Sequence, residues 1–380
     1  MAPPIKNTKR LFTTGVPVHG KDLAGREKEK GSIKQLLMHG QSVILHGPRR
    51  IGKTSLALTV LDELQKEGFF VGHIDIFAIS TLRLLAQRIT ETTLENKRLS
   101  RLVRSIRDGV YQAFSKMEVK QTINDFEWIL KFADHNIDDD DLLNDALDFP
   151  EKFAGKHKIA MIMFFDEIGD VGKFNGESLI KLMRSKFQLH SNVTYLFAGS
   201  HASVIQNIFV DHSGPFYRFG QLSPVSVVER DIFKKFIKRK FNQVDLHATD
   251  DALELLLDIT NGHPYYTQLI CREMYFYALS HKSPVNSGAV EIALNEAILI
   301  EDMYLSKIWE EISKNSAQIK VLHGIVNQEK SLYNQTNRIG INVSRTLAQL
   351  VNRGIITKRG KGKYGFADPL FAQFAKKKLE

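Results

Sequence analysis

Ser42-Val43-Ile44-Leu45-His46-Gly47-Pro48-Arg49-Arg50-Ile51-Gly52-Lys53-Thr54-Ser55-Leu56 reads as a short apolar strand, a glycine-bounded turn and the start of a helix. Gly47-x4-Gly52-Lys53-Thr54 satisfies G-x-x-x-x-G-K-[ST], and each part has a physical task. The glycines let the backbone curl until its N–H groups converge on phosphate oxygens. The helix that follows turns its positive N-terminus toward the same oxygens. Lys53 is placed to reach the β- and γ-phosphates, and the Thr54 hydroxyl to bind Mg²⁺. Gly47, Pro48, Arg49, Arg50, Ile51, Gly52, Lys53, Thr54 and Ser55 are therefore the candidate loop for ATP with Mg²⁺. The context fits, because Leu56, Leu58, Val60, Leu61 and Leu64 continue as a helical apolar stripe up to Gly68. Arg49 and Arg50 are unusual inside such a loop and are expected to touch phosphate or a partner.

Outward from the loop, strands alternate with helices. A helical pattern runs from Asp22 to Met38, and Phe69 to Phe77 reads as the second strand. Ile159 to Phe165 is an apolar run of seven residues ending in Asp166-Glu167. Such runs belong to central parallel strands covered on both faces. Asp166 at the strand end fits a metal-holding carboxylate, and Glu167 fits the base that positions an attacking water. The plainer alternative is a solvated acidic pair in a loop. Val193 to Ala198 is a further strand ending in Gly199-Ser200. Ser200 fits a contact to the γ-phosphate or the water, and fits a helix N-cap as well. Arg218 precedes a last strand expected at Phe219–Leu222; it is either a cation for transition-state charge, from its own or a neighbouring subunit, or a surface arginine. Lys53, Glu167, Ser200 and Arg218 are the catalytic candidates, and Thr54 and Asp166 the metal candidates. The alternation argues a parallel α/β sheet over about residues 20–225. Within 78–157 the pattern is mostly helical. Its acidic run, residues 137–141, reads as a helix N-terminus favoured by the macrodipole; a metal cluster is the alternative, without regular ligand spacing.

After Pro224 the chain reads as all-helical to about 314. Helices near Ala317–Val326 and Val343–Asn352 follow, with a short turn between them. Gly354 then leads into two strands, Ile355–Arg359 and Lys363–Phe366, flanking Gly360-Lys361-Gly362. That is the outline of a winged helix-turn-helix. The expected organisation is an N-terminal arm (1–20), a P-loop core (21–224), a helical lid (225–314) and a winged helix (315–380).

Charge separates these parts. The 380 residues carry 52 Lys and Arg against 43 Asp and Glu, a net +9. Residues 315–380 hold 12 basic and 3 acidic side chains, which accounts for the whole excess. A concentrated basic module suggests a polyanionic partner more than a uniform excess does. In a groove-reading pose, Ser344, Arg345, Gln349 and Asn352 would face bases, and Lys358, Arg359, Lys361 and Lys363 would face phosphates. A solubilising tail is the plainer alternative.

Composition excludes other classes. With 43% apolar and 25% charged residues the chain is neither disordered nor collagen-like. No apolar run reaches the ~18 residues of a spanning helix. The opening MAPPIKNTKR lacks the apolar core of a secretory signal. Cys271 is the one cysteine, so no disulfide forms within the chain. A reducing cytoplasm is the expected compartment.

GPRRIGKTSL, DLAGREKE, the FFDE strand end, FAGS, the later GHPYY and the closing ADPLFAQF together resemble the archaeal-type AAA+/STAND-related ATPases of archaea and bacteria. The resemblance spans nearly the whole chain. It implies strand order 5-1-4-3-2, a helical lid and a C-terminal winged helix. It also implies that Arg26 lies near the adenine pocket, that Ser200 is a sensor and that Arg218 is finger-like. His263 and Pro264 would lie near base or ribose; a cap histidine is the plainer reading of His263. The same layout occurs in archaeal origin-recognition initiators, from which this chain departs at Arg50-Ile51 and at Gly-His-Pro-Tyr-Tyr. Two functions stay open: an ATPase that couples its nucleotide state to duplex DNA, or a nucleotide-controlled signalling switch whose winged helix binds a protein. A homo-oligomer is compatible with both. A phosphotransferase fits less well, since no acceptor motif is present.

Overall fold

The computed structural model describes residues 11–94, 138–174, 176–327, 342–360 and 362–380. They fall into two compact units: Arg26–Ser226, and Met1–Gly25 together with Val227–Glu380.

The first unit is built on five parallel strands: β1 (Val43–His46), β2 (Phe70–Asp75), β3 (Met161–Asp166), β4 (Val193–Gly199) and β5 (Gln221–Pro224). Their order is β2-β3-β4-β1-β5, the order implied by the family resemblance. Every residue of β3 and β4 is buried. This is why the Ile159–Phe165 segment carries no alternation: both faces of a central parallel strand are covered. The helices of this unit are α1 (Glu27–Met38), α2 (Lys53–Lys66), α3 (Leu82–Leu94), α4 (Asp139–His157), α5 (Gly176–Phe187) and the short α6 (Ala202–Ile205). Ile44, Met163, Phe165, Tyr195 and Phe197 sit in one core with Leu85, Phe149, Met183 and Phe187 from the helices.

Two boundaries differ from the sequence reading. The Asp22–Met38 pattern breaks at Gly25, whose φ is +62°, so α1 starts only at Glu27 after a 3-10 turn at Gly20–Asp22. The last strand begins later than Phe219. Gly220 brings the backbone so close to β1 that a Cβ there would lie 2.7 Å from the Ser42 carbonyl oxygen, and pairing starts at Gln221. The acidic run behaves as a helix start. Asp138 accepts from the Asp140 N–H at 3.1 Å, Asp139–Asp141 fill the first turn of α4, and Asp139 pairs with Arg83 at 2.7 Å. No group of three or more metal-type ligands occurs among the described residues.

The second unit holds α7 (Arg230–Asn242), α8 (Asp250–Thr260), α9 (Pro264–His281), α10 (Ser287–Ile300) and α11 (Asp302–Ser313). It continues with α12 (Ser316–Val326), α13 (Val343–Asn352), the antiparallel pair β6 (Ile356–Gly360) and β7 (Lys363–Phe366), and α14 (Pro369–Leu379). One core joins these elements. Leu11 and Phe12 belong to it, with the Phe12 ring 5.0 Å from that of Phe241. On α13, Val343, Thr346, Leu347 and Leu350 are buried, while Ser344, Arg345, Gln349 and Asn352 are exposed. That is the i, i+3, i+4, i+7 stripe of an amphipathic helix. The turn anticipated between α12 and α13 lies outside the described residues. Among the described residues, no helix is long and apolar enough to cross a membrane.

Candidate functional site

The sheet order decides which loops meet. β4 lies between β1 and β3, and the register pairs His46 with Gly199 and Leu196 with Phe164. In a parallel sheet all three strands end on one edge. The turn after β1, the acidic pair at the end of β3 and Ser200 after β4 therefore converge there.

The turn is shaped by its glycines. Gly47 has φ +155°, and a Cβ there would lie 2.5 Å from the Val225 carbonyl oxygen. Gly52 is the left-handed N-cap of α2, with φ +97°. Lys53 opens α2, and its ammonium donates to the carbonyls of Gly47 (3.1 Å) and Pro48 (2.9 Å) and to Ser200 Oγ (2.8 Å). Ser200 in turn donates to Glu167 Oε1 at 2.7 Å. Thr54 Oγ1 donates to Asp166 Oδ2 at 2.6 Å, and the Glu167 N–H donates to Asp166 Oδ1 at 3.0 Å. Lys53, Thr54, Asp166, Glu167 and Ser200 thus form one hydrogen-bonded cluster. Glu167 adopts φ +49°, a strained value for a non-glycine residue that turns the chain sharply after the strand.

Burial sets the electrostatics. Lys53 is 5% exposed and Asp166 4%. Desolvation lowers the Lys53 pKa, with Glu167 and Asp166 opposing that shift. Desolvation raises the Asp166 pKa against the hydrogen bonds from Thr54 and the Glu167 N–H. Both shifts disfavour the charged forms.

Three histidines of this edge went unnoticed in the sequence. His73 on β2 stacks on Phe164 at 4.8 Å, and its Nε2 lies 3.9 Å from Asp166 Oδ2. Its pKa is lowered, chiefly by burial. His46 ends β1, and its pKa is lowered by burial and then by Lys53. His201, directly after Ser200, accepts a hydrogen bond from Arg49 at 2.9 Å. The only signal for them was position: each sits at or near the end of a strand on the phosphate edge.

Other candidates fall elsewhere. Arg26 is 2% exposed and fully engaged by protein acceptors: the Ile51 carbonyl (3.1 Å), the Ser226 carbonyl and Glu29 (2.9 Å). It braces the phosphate turn from behind. Hydrogen bonds to a charged group contribute about 1.5–3 kcal/mol each. Arg26→Met is therefore expected to destabilise the first unit by about 3 kcal/mol, read as a lower urea midpoint; a loss below about 1 kcal/mol would mean that the brace is dispensable.

Arg218 is exposed, with φ +56° and its guanidinium 5.2 Å from the Tyr217 ring. Because Val43 pairs with Gln221, Arg218 lies where the strands begin, whereas the phosphate turn lies where they end. At ~3.3 Å per residue the two edges are at least ~13 Å apart. Within one chain Arg218 is not brought to the Lys53–Glu167 cluster.

His263 and Pro264 lie in the second unit. His263 is the N-cap residue of α9, 5% exposed, with its ring 4.8 Å from that of Tyr266. At the C-terminal end of that unit, Ser344, Arg345 and Gln349 share the exposed face of α13. Lys358 and Lys363 are exposed on the β6–β7 hairpin. Arg359 folds across Gly365 and donates to the Phe366 carbonyl at 3.4 Å. Lys361 lies outside the described residues.

Residues 23–270 match an ATPase domain family found predominantly in Archaea. The chain belongs to this family. Its activity is accordingly ATP hydrolysis, and the Lys53–Thr54–Asp166–Glu167 cluster lies within the matched residues. Among solved structures, the Walker-type ATPase of Pyrococcus abyssi superposes with a TM-score of 0.67 at 19% identity, over 96% of this chain and 99% of that one. The ORC2 protein of Aeropyrum pernix, in ADPNP–ADP complexes, gives 0.60 at 13% identity, over 98% and 97%. The ORC1 protein of Aeropyrum pernix in complex with DNA gives 0.51 at 15% identity, over 94% and 93%. These likenesses carry the fold of the archaeal-type ATPase across nearly the full chain. No curated protein sequence matches.

Proposed function

We propose that this ATPase is magnesium-dependent and couples its nucleotide state to duplex DNA through a C-terminal winged helix-turn-helix. The observation that carries the DNA reading is the confinement of the net +9 to residues 315–380, where Arg345, Lys358 and Lys363 are exposed. The likeness of the fold to a protein solved in complex with DNA lends support.

The donor set fits magnesium. Asp166 is a buried carboxylate facing the Thr54 hydroxyl, and both are hard oxygen ligands. Mg²⁺ is commonly held by one or two carboxylates plus substrate phosphates. Bound there, it would neutralise charge on the phosphate oxygens. The remaining work falls to this chain's own groups. The N–H groups of the turn and the start of α2 cradle the phosphates. Lys53 exchanges its carbonyl acceptors for phosphate oxygens. Ser200 holds Glu167 by one oxygen, leaving the other to take the proton of the attacking water.

In the DNA pose, α13 enters the major groove with Ser344, Arg345 and Gln349 facing bases, and the hairpin lysines contact phosphates. Each phosphate contact contributes a slope of ~0.9 in log affinity against log salt. The Lys358→Ala/Lys363→Ala pair is expected to flatten that slope by about 1.8 units, measured by titrating labelled duplex at several salt concentrations. An unchanged slope would remove the hairpin from the interface. The test of coupling is ATP turnover by wild type and Glu167→Gln, each with and without duplex; DNA-indifferent turnover would reject it.

A second reading, a switch that binds a protein, is favoured by one observation. Leu299, Ile300, Met303 and Tyr304, at the α10–α11 junction, are exposed, Met303 by 90%. Contiguous exposed apolar side chains mark interaction surfaces. Under this reading a partner, not DNA, stimulates turnover.

A further inference from the structure

Arg49 stands inside the phosphate turn, where the G-x-x-x-x-G-K-[ST] pattern asks for nothing but a flexible backbone. It is exposed, yet its guanidinium is not loose: it donates to His201 Nε2 at 2.9 Å. A guanidinium only donates, so that His201 nitrogen carries no proton. His201 directly follows Ser200, and Ser200 links Lys53 to Glu167 at 2.8 and 2.7 Å. The bond to His201 therefore holds a permanent cation on the rim shared by the phosphate-holding lysine and the water-positioning glutamate. It is possible because β1 and β4 are neighbours, His46 opposite Gly199, so the turns after them run side by side. Arg218 cannot take this place within the chain, since the register sets it at the opposite edge of the sheet.

We propose that Arg49 is a catalytic residue of the ATPase, an arginine supplied from within the phosphate turn to the charge that builds in the transition state, and that His201 is its positioning residue. The proposal rests on the Lys53–Glu167 cluster being the hydrolytic site. In the reaction, the water oxygen attacks the γ-phosphorus and passes its proton to Glu167. The bond from the γ-phosphorus to the β,γ-bridging oxygen breaks, and ADP leaves with the electron pair. Glu167 returns the proton to solvent. Charge shifts onto the bridging oxygen and the equatorial oxygens as that bond stretches, and Arg49 donates to them. Its contribution is larger in the transition state than in bound ATP, so it acts on kcat more than on KM. One chain then carries its own arginine, and turnover per molecule does not depend on assembly.

The test uses the full chain. Steady-state kcat and KM are measured for wild type, Arg49→Ala, Arg49→Lys, His201→Ala, His201→Gln and Glu167→Gln over a range of protein concentrations. Binding of ADP with and without tetrafluoroaluminate is measured alongside. Arg49→Ala is expected to lose roughly 10³-fold in kcat with KM changed only a few-fold, the scale of an arginine that serves phosphoryl transfer. Arg49→Lys recovers part of the loss. His201→Ala loses roughly 10–10²-fold through misplacement of the cation, and His201→Gln, which keeps an acceptor, restores most of it. Tetrafluoroaluminate tightens ADP binding to wild type but not to Arg49→Ala. Arg49→Ala turning over within threefold of wild type, while Glu167→Gln is inactive, would overturn the proposal and leave the site intact. So would turnover that rises steeply with protein concentration, which points to an arginine from a second copy. An active Glu167→Gln would instead overturn the site reading itself.

Discussion

Glu167→Gln is expected to cut ATP turnover by about 10²–10⁴-fold while ATP affinity stays within a few-fold of wild type. The substitution keeps the shape of the side chain and its acceptor for the Ser200 hydroxyl, which now lies 2.7 Å from Oε1. It removes the capacity to take a proton, together with the negative charge that acts on Lys53. Glu167 also has no part in the bonds that hold Lys53 to the turn, which run to Gly47, Pro48 and Ser200. Nucleotide should therefore be retained but not cleaved. Phosphate release gives the rate, and a fluorescent ATP analogue gives the affinity. Equal turnover in the two proteins would mean that another group takes the proton. Loss of binding along with turnover would mean that Glu167 holds the site together instead of acting on water.

Lys53→Met carries the second large effect, with a larger loss in binding than in stability. The ammonium is the cation most deeply set in the turn, and removing it should weaken ATP binding by about 10²-fold or more, given about 1.5–3 kcal/mol for each charge-assisted bond lost. Stability without nucleotide should fall less than binding. Burial already lowers the Lys53 pKa, so part of the favourable interaction of the ammonium with Asp166 and Glu167 is offset by its desolvation. The expected result is a melting temperature, without nucleotide, close to that of wild type, and a much smaller upward shift when ATP is added. A Lys53→Met protein that melts well below wild type would show that the bonds to Gly47, Pro48 and Ser200 and the attraction to Asp166 and Glu167 outweigh the desolvation cost.

Much of this site could be read from residue order because each part follows a strand end. The apolar runs at Val43–Leu45, Ile159–Phe165 and Val193–Ala198 are uninterrupted because parallel strands are covered on both faces. A strand end is where the chain can expose polar atoms, so Lys53, Asp166, Glu167 and Ser200 stood out as candidates, and the structure brings them together. Their mutual distances were not, since those depend on β4 entering between β1 and β3. Arg26 illustrates the limit. The resemblance put it near the adenine pocket but said nothing of its partners: its guanidinium donates to Ile51, Ser226 and Glu29, up to 200 positions away. Long-range backbone acceptors leave no trace in local pattern. His73 and His201 were missed for the same reason: a single histidine beside a strand end is uninformative until the neighbouring strand is known. Leu11 and Phe12 were hidden by their polar, proline-containing surroundings, although both are buried.

The division of the chain at Gly25–Arg26 and again at Ser226–Val227 has a consequence for how the protein is made. Translation delivers the N-terminus first, and domains generally fold as they emerge. The stretch containing Leu11 and Phe12 leaves the ribosome before any of the sheet, yet its partner Phe241 is synthesised only after all five strands. The unit that starts first is thus completed last, and in sequence the sheet-containing unit is an insertion within it. A nascent chain stalled shortly after Ser226 has everything needed for the sheet, while its leading residues wait with two large apolar side chains uncovered. During that interval the N-terminal stretch is the part most in need of protection by chaperones, and trimming it from the finished protein should weaken the helical unit at the far end of the sequence, not the sheet-containing unit that follows it.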